Sequence, residues 1–90
     1  MFIAKVIGNV VATQKDETLV GSKLLIIQPL ELLPGQKTGG PIIAVDAIGA
    51  GAGETVLVAT GSSARNATKA HTVADAAVVG IVDAMELHQG

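Results

Sequence analysis

Along the first stretch of the chain, Phe2, Ala4, Val6, Val10 and Ala12 fall on one side of an extended backbone, while Lys5, Asn9 and Thr13 punctuate the other. A period of two predicts a β-strand over 2–13. Gly8 lies on the apolar side, where a glycine weakens a strand and marks a bulge or a sharp bend. After a polar turn at Gln14 to Thr18, the run from Lys23 to Gln28 predicts a second strand, with Pro29 suited to its edge or end. Ile42 to Asp46, Thr55 to Thr60 and Ala76 to Leu87 supply a third, fourth and fifth, the last with an internal Gly80. Leu30 to Pro41 carries Pro34-Gly35 and Gly39-Gly40 and reads as the longest irregular connection and a site of flexibility. Between the fourth and fifth strands stands a helical candidate: Ser62 or Ser63 can cap it, and Ala64 to Lys69 have the propensity for about two turns.

Five short strands, one short helix between strands 4 and 5, and curvature glycines in the long strands predict an all-β fold, a small, partly closed, five-stranded β-barrel of oligomer-binding (OB) type. Ninety residues suffice for one such domain, spanning 1–90, with no internal repeat or linker. In a lone barrel one face of each strand fills the interior and the other meets water. Here Ile3, Ile7 and Val11 lie opposite the Phe2 face, Leu24 and Ile26 oppose Leu25 and Ile27, and Val78 and Val82 oppose Val79 and Ile81. Soluble monomers seldom expose contiguous apolar patches beyond a few hundred Å², so the excess predicts that copies of the chain cover one another.

Composition sharpens this picture. Val, Ile and Leu fill 27 of the 90 positions, whereas Phe2 is the sole aromatic residue, so the core must be packed from aliphatic side chains. Six Lys and Arg against eight Asp and Glu give a net charge of -2 and no basic field for nucleic acid or an anionic membrane. OB barrels often hold single-stranded nucleic acid, but such sites combine a cationic groove with stacking aromatics, which this chain lacks. A ligand- or nucleic-acid-binding OB module therefore ranks as the alternative reading. The absence of cysteine excludes a disulfide framework and a thiolate metal site and is compatible with a reducing cytosol. The start lacks signal-peptide character, and Leu24 to Leu33, interrupted by Gln28, Pro29 and Glu31, is too short and too polar to span a bilayer. A cytoplasmic location is expected.

The candidate chemistry centres on Gly49-Ala50-Gly51-Ala52-Gly53. A phosphate-binding loop needs its glycines to open a helix, but the residues that follow, Glu54 to Val58, read as a strand. The preferred reading is a tight turn between strands whose glycines adopt positive φ or let another backbone, including that of a second copy, come close. Ser62, Ser63, His71, His88 and Asp75 contain the letters of a hydrolytic triad without a nucleophile elbow around the serines, so capping is the better role for the serines. His71 and Asp75 are spaced as ligands could be, but no third ligand is apparent. Asp46 and Asp83 stand near strand ends, where a carboxylate accepts backbone hydrogen bonds. No catalytic residue, cofactor or metal site is expected, and no enzymatic activity. Arg65 is open between a surface charge and a bidentate bond to an adjacent subunit.

Ala4-Lys5-Val6 with Gly8 and Val10-Val11, Lys23-Leu24-Leu25, Val45 through Glu54, Gly61-Ser62-Ser63-Ala64-Arg65 and Asp75 through Asp83 together resemble the EutN/CcmL family of bacterial microcompartment vertex proteins. The resemblance spans essentially the whole chain and departs at Leu30 to Pro41. It implies a structural protein that forms a homopentamer and caps the corners of a polyhedral shell, docked against hexameric shell proteins. It also implies that Gly49, Gly51, Gly53, Ser62, Ser63 and Arg65 serve intersubunit or axial geometry.

Overall fold

The computed structural model describes residues 1–13, 16–19, 21–61, 64 and 75–88. Five strands form: β1 (Phe2–Val10), β2 (Lys23–Pro29), β3 (Ile42–Asp46), β4 (Thr55–Thr60) and β5 (Ala76–Ile81). They close completely in the order β1-β2-β3-β5-β4, with β4 returning to β1. All neighbours are antiparallel except β3 and β5. Closure removes every sheet edge, which the partly closed barrel expected from sequence would have left in place.

The expected helix between the fourth and fifth strands is corrected. Among the described residues the helical element with its own bounds is a 3-10 turn, Glu17–Leu19, between β1 and β2; between β4 and β5 helical backbone is described at Gly61 and Ala64 alone. Of the residues proposed for the cap and helix, 62–69, only Ala64 lies among those described, and it is fully buried. The 3-10 turn has a local cause. Asp16 Oδ1 accepts the backbone N–H of Thr18 at 2.9 Å and its hydroxyl at 2.7 Å, and Leu19 N–H closes on Asp16 O at 2.9 Å.

Two strands stop earlier than their alternation suggests, β1 at Val10 rather than Thr13 and β5 at Ile81 rather than Leu87. In each case the partner has run out. Val10 faces Leu24, one residue from the start of β2, and Val82 N–H makes a last bond to Thr55 O, where β4 begins. Residues 83–88 continue as an exposed segment with no strand paired to them among the described residues.

The glycine signals mark bulges. Val6 pairs with Ile27 but Gly8 with Ile26, so Ile7 is the extra residue; Leu57 pairs with Gly80 and Val58 with Val78, so Val79 is extra. A one-residue slip exchanges the faces of everything beyond it. Gly8 and Val10 are thereby set in register with Ile26 and Leu24 rather than with the core residues Leu25 and Ile27. Val10, expected on the Phe2 face, belongs to the outer one.

The interior is filled by Ala4, Val6, Leu25, Ile27, Ala44, Val56, Val58, Ala76 and Val78. Phe2 packs against this cluster, and Ala50 joins it from the connection between β3 and β4. On the outer face, Leu24, Val45, Ala77 and Ala59 form a row across β2, β3, β5 and β4 and are all buried within the single chain. The chain thus covers part of its own excess of apolar surface. It does not cover Ile7 or Ile43, which remain 52% and 55% exposed.

Candidate functional site

The connection from Asp46 to Glu54 is built by two carboxylates. Asp46 ends β3, and its side chain is only 1% exposed. Its Oδ1 accepts the backbone N–H groups of Ile48 at 3.1 Å and Gly49 at 3.0 Å, which turns the chain away from the strand. Lys23, paired with Asp46 across β2 and β3, brings its Nζ to 3.9 Å from Asp46 Oδ2 and donates to Ala50 O at 2.9 Å. That bond holds Ala50 in place at the core. Glu54 Oε1 accepts the Gly51 N–H at 2.6 Å, while Glu54 N–H returns to Gly51 O at 3.2 Å. Gly53 N–H then reaches Val6 O at 2.9 Å and joins the connection to β1.

The three alternate glycines have two different reasons. Gly49 and Gly53 both have φ of +85°, a left-handed conformation that strains side chains. Gly51 has no such φ; a Cβ there would sit 3.3 Å from Glu54 Oε1. All three N–H groups are already donated inside the chain, to Asp46, Glu54 and Val6. A phosphate cradle needs those donors free and no carboxylates beside them, so this corner is a structural turn.

Of the other candidates, Ser62, Ser63, Arg65 and His71 lie outside the described residues. Asp75 is exposed, and its carbonyl accepts Gly61 N–H at 2.9 Å. His88 is exposed, with Nε2 3.5 Å from Glu86 Oε2. Asp83 is exposed beyond the end of β5. Among the described residues no group of three or more His, Cys, Asp or Glu is placed to hold a metal ion, and no helix is long and apolar enough to cross a membrane. The sequence reading placed Asp46 in a turn but passed over Glu54 and Lys23. Glu54 stands three residues after Gly51, a spacing that lets a carboxylate reach back to a preceding N–H.

A closed barrel with solvent-facing isoleucines and a turn in place of a ligand loop is a scaffold, and comparison with known proteins shows which kind. The family model described as "Ethanolamine utilisation protein EutN/carboxysome" matches residues 1–83. The chain belongs to the EutN/CcmL family. It is 53% identical over 89 residues to the bacterial microcompartment shell vertex protein GrpN of Rhodospirillum rubrum, covering 96% of this chain and 97% of that one. It is 47% identical to the shell vertex protein PduN of Salmonella typhimurium, over 94% of this chain and 98% of that one. The solved structure of the GrpN pentameric microcompartment shell protein from Rhodospirillum rubrum superposes with a TM-score of 0.85 at 50% identity, covering 98% of this chain and all of that one. As a EutN/CcmL member this chain is a structural shell vertex protein of a bacterial microcompartment and not an enzyme.

Proposed function

We propose that five copies of this chain close into a ring that caps a shell vertex and docks at its rim against hexameric shell proteins. The observation that carries the reading is the pairing of a filled barrel with uncovered outward isoleucines, Ile7 and Ile43, in a chain whose 50%-identical relative is described as pentameric. A flat sheet of sixfold tiles cannot enclose a volume, whereas fivefold units supply the missing curvature. A head-to-tail contact that closes after five copies leaves no sticky edge behind. In this reading Gly49, Gly51 and Gly53 let neighbouring backbones approach, and Ser62, Ser63 and Arg65 serve the subunit contacts or the axis.

Native mass spectrometry of the purified chain tests the ring: a dominant pentamer is expected, and a dominant monomer at micromolar concentration overturns it. Pull-down of a hexameric shell protein by the assembled ring tests the rim contact, and no retention overturns that part. For Arg65 the expected outcome of Arg65→Ala is a ring that dissociates at higher protein concentration; an unchanged dissociation profile returns Arg65 to a surface charge.

A further inference from the structure

The segment Val82–His88 and the groove at the opposite end of the barrel are matched in chemistry. Val82 is tied to Thr55 by its backbone N–H, at the end of the barrel where β2 starts and β3 stops. From Asp83 onward every described residue is exposed, including Met85 at 50% and Leu87 at 56%. Alternation along an extended chain puts Met85 and Leu87 on one side and Glu86 and His88 on the other. This is half of an apolar contact without its other half.

The groove lies where β1 starts and β2 ends, roofed by the 30–41 loop. It measures about 440 Å³, and Phe2, Ile3, Leu30 and Ile42 give it an apolar floor. The loop above it is held in shape: Glu31 Oε1 accepts Gly35 N–H at 2.6 Å, Gln36 Oε1 accepts Leu32 N–H at 2.7 Å, and Gln28 Nε2 donates to Gly39 O at 3.1 Å. Lys37 stands on the lining and has no ion pair among the described residues.

We infer that the segment Val82–His88 of one copy docks in this groove on the next copy, with Met85 and Leu87 on the apolar floor and Glu86 toward Lys37. The inference rests on the reading of the chain as a self-assembling ring and names one of its contacts. A second copy is the occupant for three reasons. The segment supplies apolar side chains at alternate positions and a carboxylate where the groove supplies an apolar floor and a lysine. It leaves the barrel at the end opposite the groove and is exposed from Asp83 to His88, so its own groove lies behind it. Two different surfaces of one molecule make a heterologous contact, the type that forms a ring when the rotation between copies closes.

The chain contains no cysteine, which permits a direct test with Thr38→Cys and Leu87→Cys combined in the full-length chain. Oxidation is expected to yield covalent multimers on a denaturing gel that revert on reduction, and each single substitution is expected to yield no ladder. In parallel, Met85→Ser with Leu87→Ser is expected to raise the concentration for half-assembly about a hundredfold, on the order of tenfold for each apolar side chain left in water. An unaltered circular dichroism spectrum would show that the barrel survives. A cysteine pair that stays unlinked in an assembled pentamer, or a serine pair that assembles as the parent does, overturns the docking while leaving the ring intact. A parent chain that is monomeric in the native mass spectrum overturns both.

Discussion

Gly51 donates its N–H to Glu54 Oε1 at 2.6 Å, and a side chain at Gly51 would lie 3.3 Å from that same oxygen. Within one copy, that contact links the small residue at position 51 to the acidic one at position 54. Glu54→Ala is expected to destabilise the barrel by about 1 to 3 kcal/mol, the usual cost of losing a partly buried hydrogen bond to a charged group. Gly51→Ala is expected to cost less, because a flexible carboxylate can shift by a few tenths of an ångström. Urea unfolding midpoints of the two variants check the order; a Gly51→Ala variant less stable than Glu54→Ala would contradict it.

Gly49 and Gly53 are constrained differently. Within one copy nothing lies within 4 Å of a Cβ built at either position, so inside the barrel the obstacle is the positive φ. Gly49→Ala and Gly53→Ala are each expected to lose roughly 1 to 2 kcal/mol, and Gly49→Asn less, because asparagine tolerates the left-handed region. Thermal unfolding of the three variants measures this. Equal losses for Ala and Asn at position 49 would point to something other than backbone strain.

Asp46 works as an acceptor more than as a charge. Its Oδ1 holds two N–H groups, whereas Lys23, half exposed, stands at 3.9 Å from Oδ2, a separation at which an ion pair contributes little. Asp46→Asn preserves the carbonyl oxygen and is expected to stay close to the parent. Asp46→Ala leaves the Ile48 and Gly49 N–H groups without their acceptor and is expected to cost about 1 to 3 kcal/mol. Amide hydrogen exchange at Ile48 and Gly49 should accelerate in the alanine variant and not in the asparagine one.

Asp16 sets a pH dependence. The Thr18 backbone N–H, and next its hydroxyl, hold the Asp16 carboxyl below its ordinary value of 3.8. A carboxylate lowered in the folded chain stabilises it fully above that ordinary value, and the contribution fades as pH falls through the folded midpoint. An NMR titration of the Asp16 carboxyl is expected to give a midpoint under 3.8, and Thr18→Ala is expected to raise it by removing the hydroxyl donor. A midpoint that does not move on Thr18→Ala would assign the effect to the backbone N–H alone.

Much of the barrel could be read before any coordinate. Ile42–Asp46 and Thr55–Thr60 form strands at the bounds their composition predicts, because short β-branched runs flanked by Gly, Pro and Asp have little else to become. Gly8 and Gly80 announced the bulges, and the alternate glycines announced a turn rather than a phosphate loop. These properties are local: backbone stereochemistry and the spacing of apolar side chains act within a few residues, so the order of letters carries them. Tertiary structure decided the rest. The ends of β1 and β5 depend on where a partner strand stops, the face that Val10 takes depends on an extra residue at Ile7, and the part of Glu54 depends on loop closure bringing its carboxylate to Gly51 N–H. Those are contacts between residues that meet only once the chain has closed on itself, and no pattern along the line of the sequence can weigh them.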